Sequence, residues 1–204
     1  ECTIRDSICG FRGAGLLILG TTDQTATPPA AATAGARVFD CTFISNFAFV
    51  GGGMYNSQSS PTVTNCTFSS NVTFYLDGGS GGGMYNYSSD ATVTHCEFAG
   101  NSSGNGGGIF NGASNSTVTN CTFNGNTAYY DGGGMYNGGS GNPTVTDCIF
   151  SGNTAEVGGG MHNAISSPTV TNCTFSGNTA TYLGSGILNE NSNPTVTNCI
   201  LWGD

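Results

Sequence analysis

The sequence predicts an all-β fold: a single-stranded parallel β-helix, or β-solenoid, of about 7–8 rungs of roughly 25–30 residues, three short strands to each. Three observations predict it. One phrase recurs seven times, best preserved as Pro168-Thr-Val-Thr-Asn-Cys-Thr-Phe-Ser-Gly-Asn-Thr-Ala180. A Gly-Gly-Gly-Met-Tyr-Asn block recurs between copies. The anchoring cysteines Cys2, Cys41, Cys66, Cys96, Cys121, Cys148, Cys173 and Cys199 are separated by 39, 25, 30, 25, 27, 25 and 26 residues. A period of this size stacks like on like, and loops absorb the variation in length.

Within one copy, Thr62-Val63-Thr64 alternates out, in, out as a strand should. Asn65 then breaks parity, because Val63 and Cys66 cannot face the same way on an uninterrupted strand. A residue near the left-handed helical region restores the phase, and asparagine tolerates that region well. Cys66 and Phe68 then point inward, and Ser69-Ser70-Asn71 makes a second bend. Gly51-Gly52-Gly53 allows a tight turn before a third strand, Met54-Tyr55-Asn56, with Met54 inward. Val63, Val118 and Val170 form one inner column, Cys66, Cys121 and Cys173 a second. Phe68, Phe123 and Phe175 form a third, and Met84 and Met135 a fourth. Asparagines at the bends are positioned to hydrogen-bond along the stack.

The reading is of one domain over 1–204. Residues 1–40 form an irregular first rung with a Thr/Ala/Pro-rich insertion at 20–37, and 41–204 are regular repeats. The 34 glycines and 7% charged residues would suit disorder, but the regular return of Val, Cys, Phe and Met supplies a core. The only basic residues are Arg5, Arg12 and Arg37, and the net charge is −9. That excludes nucleic-acid binding through a basic groove and makes anionic membranes poor partners. The apolar run Leu16–Leu19 is far too short to span a bilayer. Glu1 reads as the start of a processed or excised chain.

Eight of the nine cysteines share one repeat position, which favours a buried ladder of free thiols over disulfides. Neighbouring rungs nevertheless bring such residues within bridging reach. Cys9 stands where other copies carry Ala48, Ala128, Ala155 and Ala180, and a local Cys2–Cys9 bridge is the alternative for it.

The Phe-x-x-Asn units Phe68 to Asn71, Phe123 to Asn126 and Phe175 to Asn178 alternate with Gly-Gly-Gly-Met or Gly-Gly-Gly-Ile. Over roughly residues 38–204 this pattern resembles the polymorphic outer-membrane protein repeat and similar bacterial right-handed β-helix repeats. Met stands where that family's repeat has an Ala-Ile pair. The resemblance implies a right-handed helix and a surface-exposed or secreted protein, often adhesive.

Catalysis on such a fold calls for paired carboxylates or acidic calcium ligands with a basic proton acceptor. Asp40, Asp147 and His95 instead occupy the bend column, and no arginine follows residue 37. Asp77, Asp131 and Glu156 precede glycine blocks in different rungs, a weak calcium pattern beside ordinary solvated loop acids. His162 falls in the Tyr55 column without a partner readable from sequence. The chain is therefore expected not to be an enzyme and to carry no cofactor.

Two kinds of outward column remain. Thr62, Thr92, Thr117, Thr144, Thr169 and Thr195 run beside Thr64, Thr94, Thr119, Thr146, Thr171 and Thr197. This flat Thr-x-Thr array resembles the ice-binding faces of some solenoid antifreeze proteins, although threonine is also simply a favoured exposed strand residue. The column Tyr55, Tyr85, Phe110, Tyr136, His162 and Leu188 is expected outward, either under loops or as a contact surface for glycan or protein.

The first and last rungs are incomplete. Cys2 and Ile4 at one end, and Ile200, Leu201 and Trp202 at the other, are expected assembly surfaces, since an open rung exposes core and backbone. Unlike ends that meet without closing make a filament. The expectation is an extracellular or cell-surface structural protein, a head-to-tail homopolymer or a stalk. The alternatives are an adhesin and an ice-binding protein.

Overall fold

The computed structural model describes residues 2–7, 12–13, 15–19, 35–74 and 78–204. Most of the 20–37 insertion, together with Cys9 and Asp77, lies outside the described residues. Four parallel sheets of eight, seven, seven and six strands run along the solenoid. Each strand pairs with its equivalents in the turns before and after. Val93 lies between Val63 and Val118, Phe98 between Phe68 and Phe123, and Met84 between Met54 and Ile109.

A complete turn carries four strands, one more than the sequence reading placed. In one turn these are Thr117–Thr119, Thr122–Asn124, Thr127–Asp131 and Met135–Gly138. The additional strand follows the Ser-Gly-Asn bend, where Thr127 pairs with Ser102 in one direction and Thr154 in the other. Its backbone amides are enclosed between neighbouring turns and need partners, so they join a ladder. The side chains alternate accordingly, with Thr127 and Tyr129 exposed and Ala128 buried.

The corners follow the expected chemistry. Asp40, Asn65, His95, Asn120, Asp147 and Asn172 all have φ between 52° and 56°, which restores inward phase for the cysteine after each. The third glycine of each block is required by space. A Cβ on Gly134 would lie 2.6 Å from Gly160 O and 2.8 Å from Phe150 Cδ1. A fourth corner, after the Met-Tyr-Asn strand, also takes left-handed backbone, at Ala113, Ile165 and Asn191 among others.

The core is built of the expected columns. Val63, Val118, Val170, Phe68, Phe123, Phe175, Met84 and Met135 are wholly buried, and Cys66, Cys121 and Cys173 nearly so. Stacked phenylalanine rings lie 4.5–4.9 Å apart with planes within 4° of parallel. That is the inter-strand spacing expressed in side chains.

Two asparagine ladders, buried except at Asn189 and Asp204, run beside the apolar columns. In the first, each Phe-x-x-Asn amide donates to the next, from Asn46 through Asn71, Asn101, Asn126 and Asn153 to Asn178, and finally to Asp204. The second joins Asn56, Asn86, Asn111, Asn137, Asn163 and Asn189. Sequence reading placed Met54 inward but missed that Asn56, two residues on, shares its face. A buried amide is tolerated because its neighbour satisfies it.

Candidate functional site

Among the described residues the repeated apolar side chains are committed to the core, which leaves the outer columns and the corners as candidate functional surfaces. The described cysteines, Cys2 to Cys199, are free thiols. Their Sγ atoms donate to backbone carbonyls, as Cys121 does to Thr119 O at 3.2 Å. Cys66, Cys121 and Cys173 are pushed up in pKa, first by hydrogen bonds with neighbouring thiols and then by burial. The ladder is structural. The Cys9 partner of a Cys2–Cys9 bridge lies outside the described residues.

The two threonine columns are in register throughout, with Thr92, Thr117, Thr144, Thr169 and Thr195 matched and exposed. Thr94, Thr119, Thr146 and Thr171 form the parallel column and are half-buried. A cavity of about 450 Å³ runs along the adjoining corner, lined by Asn65, Thr67, His95, Glu97, Asn120 and Thr122 among others.

The aromatic column requires correction as an exposed contact stripe. Tyr55 and His162 are buried, while Tyr85, Phe110, Tyr136 and Leu188 are half-buried. The rings cover one another: Tyr55–Tyr85, Tyr85–Phe110 and Phe110–Tyr136 are stacked at 5.1, 4.8 and 5.0 Å. The Arg12 guanidinium caps Tyr55 at 5.3 Å from its centroid, a cation–π contact. Ring faces are thus spent on each other, and only edges reach solvent. Burial pushes the Tyr85 phenol up to about 12, with help from neighbouring Tyr55 and Tyr87.

His162 turns edge-on to Tyr136, at 84° between planes. Its Nδ1 donates to Asp131 Oδ1 at 3.1 Å. Nε2 is buried and 3.6 Å from Glu190 Oε2, outside hydrogen-bonding distance. Asp131 and Glu190 therefore flank the imidazole from opposite sides instead of converging on a common point. Among the described residues, no three His, Cys, Asp or Glu side chains are grouped to hold a metal ion. Glu156 is exposed on its own strand.

The expected assembly residues fall at the two edges of one sheet. Cys2–Arg5 is its first strand and Ile200–Trp202 its last. Cys2 is exposed and Ile4 half-buried. Ile200, Leu201 and Trp202 are 61, 52 and 76% exposed.

A group that sequence reading missed sits where the additional strand meets the glycine block. Phe74, Tyr129, Tyr130 and Tyr182 are all exposed there. The signal for it was the uneven repeat length: the 30-, 27- and 26-residue intervals alternate with intervals of 25.

The family described as right handed beta helix region matches the chain over residues 14–201. The chain belongs to the right-handed β-helix family. That assignment supplies the handedness of the stack, which the repeat lengths alone leave open. Comparisons with curated proteins and with solved structures find no match. In this β-helix protein the residues that define the repeat are those that fill the interior and turn the corners.

Proposed function

We propose that this β-helix protein is a structural solenoid of the cell exterior, without catalytic activity or cofactor, whose rod lengthens by head-to-tail addition of a second copy. The observation that carries this reading is the stack of four in-register parallel ladders, in which the repeated residues are spent on core and corners. A parallel sheet offers backbone donors and acceptors in the same order at both edges, so strand Cys2–Arg5 of one copy fits against Ile200–Trp202 of another. The Val196 and Leu201 side chains, both more than 40% exposed, would then be covered as Val170 and Phe175, their partners in register, already are.

Such a contact joins unlike ends and does not close, which gives a filament. The alternation of Phe-x-x-Asn with Gly-Gly-Gly-Met supports surface display of the polymorphic outer-membrane type.

Electron microscopy of the purified protein over a range of concentrations tests the reading. Uniform fibres one solenoid wide are expected, and Leu201→Asp together with Trp202→Asp shortens them. Short rods of constant length at the highest concentration would overturn it.

The in-register threonine columns favour one second reading, ice binding. It predicts thermal hysteresis that is lost when Thr144 is replaced by Lys. A wild-type protein without hysteresis sinks that reading.

A further inference from the structure

The solenoid alternates at one corner. Between the additional strand and the glycine block, Ser103 and Asn105 are separated by one residue, as are Ala155 and Val157. In the turns between and beyond, Ala128 and Asp131 are separated by two, as are Ala180 and Leu183. The pairing holds Asn105 against Asp131 and Val157 against Leu183, so the surplus residue in each longer turn forms a bulge. A bulge re-aims the side chains around it. Here those side chains are Tyr130 and Tyr182.

The exposed rings consequently recur every second turn. Phe74 follows strand Val72–Thr73, Tyr129 and Tyr130 lie on Thr127–Asp131, and Tyr182 lies on Thr179–Leu183. One strand intervenes in each gap, Ser102–Asn105 and then Thr154–Val157. The intervening turns place Gly104 and Glu156 at the position of Tyr129, so no ring fills the space between.

Tyr129, Tyr130 and Tyr182 are 55, 38 and 72% exposed, and Phe74 is 42% exposed. Neighbours brace two of the platforms. Phe74 meets Phe47 edge to face at 4.5 Å, and Tyr129 meets Tyr130 edge to face at 4.7 Å. Rings held this way lose little freedom when a ligand stacks on them.

We propose that this flank binds a neutral, extended β-1,4-linked polysaccharide, with Phe74, the Tyr129–Tyr130 pair and Tyr182 each taking the face of every second sugar. Two turns span about 9.6 Å at the inter-strand spacing of parallel sheets. That is close to the length of one disaccharide in such a chain, whose alternate sugars present the same face. Pyranose C–H faces are apolar and suit exposed aromatic rings, which otherwise remain a costly patch in water. Glu156, exposed on the intervening strand Thr154–Val157, supplies a hydroxyl acceptor between platforms. The net charge of −9 disfavours a polyanionic glycan. The site lies on the side of the rod and is independent of end-to-end assembly.

Native affinity electrophoresis through hydroxyethyl cellulose, with dextran as the α-linked control, tests the proposal alongside pull-down on crystalline cellulose and on chitin. Retardation by a β-linked glycan and none by dextran is expected. Tyr182→Ala should weaken binding about tenfold, and the Tyr129→Ala, Tyr130→Ala, Tyr182→Ala combination should abolish it. These residues are exposed, so an unchanged melting temperature certifies that the variants fold. Tyr85→Phe, in the self-stacked column, should bind as wild type. Failure of the wild type on both β-linked glycans, equal retardation by dextran, or full binding by the triple variant would each overturn the proposal.

Discussion

Asn153 Oδ1 accepts two hydrogen bonds from Asn126, one from its backbone N–H and one from its Nδ2, both at 3.0 Å. The second Nδ2 hydrogen of Asn126 goes to Phe98 O at 2.9 Å, and its own Oδ1 accepts from the N–H and Nδ2 of Asn101. Every polar atom of the buried amide is satisfied. Asn126→Asp would turn a donor into an oxygen facing two acceptors, with a buried charge or a misplaced proton as the only outcomes. A loss of about 3–5 kcal/mol is expected, read as a fall in melting temperature. Asp204 already ends this ladder using only its acceptor, from Asn178. Asp204→Asn should therefore stay within about 0.5 kcal/mol of wild type. Equal losses in the two variants would show that the ladder is not what discriminates them.

Ile165 has a φ of 56°. A β-branched residue is poorly accommodated in left-handed backbone, at a cost of about 1–2 kcal/mol. Asn191 takes the same position one turn later with φ 48°. Ile165 is also 59% exposed, so little burial is lost on replacement. Ile165→Asn is expected to raise the midpoint of thermal unfolding, by about 1 kcal/mol of stability. A lower midpoint would mean that its side chain contributes contacts outweighing the strain.

These two positions show what was legible in the sequence. Columns that repeat in kind, such as Val63 with Val118 or Phe68 with Phe123, announce both their burial and their register. The Asn65 bend was legible because inward phase must be restored before Cys66. The additional strand was not. Its inward positions are held by small residues such as Ala128 and Ala155, and its strand character comes from backbone amides enclosed by adjacent turns, which no side chain advertises. Outwardness of Tyr55 and His162 was read from parity alone, which cannot register the rings stacking along the rod or the bond from His162 to Asp131. The alternate exposed tyrosines were visible only as an irregularity in spacing.

Asn56 Oδ1 is buried without a hydrogen-bond partner. The residue paired with it in the preceding turn is Ile18, which interrupts the amide ladder. Ile18→Asn supplies the missing donor and moves the unpaired oxygen one turn outward. A change within about 1 kcal/mol is expected, whereas Val118→Asn, at an equally buried site without an amide neighbour in its column, should cost about 2–5 kcal/mol. Denaturant midpoints compare the two. Equal losses would mean the orphaned oxygen is not a defect that an added amide repairs.

Thiol reactivity should divide the cysteine ladder by position. Cys66, Cys96, Cys121, Cys148 and Cys173 are at most 3% exposed, whereas Cys2 is exposed and Cys41 and Cys199 are half-buried. Thiolates attack only where reagent can reach them. Brief alkylation of the native protein followed by peptide mapping should label Cys2, Cys41 and Cys199 and spare the five interior thiols. Labelling of all eight is expected only after unfolding. Interior labelling at the rate of Cys2 would show that the rungs open far more readily than a continuous stack allows.

Tyr85 supplies an alkaline signature. Its phenol is pushed up to about 12 from the ordinary 10, chiefly by burial within the aromatic column. The folded state therefore holds this proton more tightly than the unfolded chain does. The resulting stabilisation is complete below pH 10 and is lost as pH rises from there through about 12. Tyr85→Phe keeps the ring and removes the proton, so wild type and variant should differ in how steeply stability falls across that window, the variant falling less. At pH 8 the two should show the same pH dependence. Parallel stability curves from pH 9 to 12 would show that the phenol titrates alike in both states and that the stacked rings admit water.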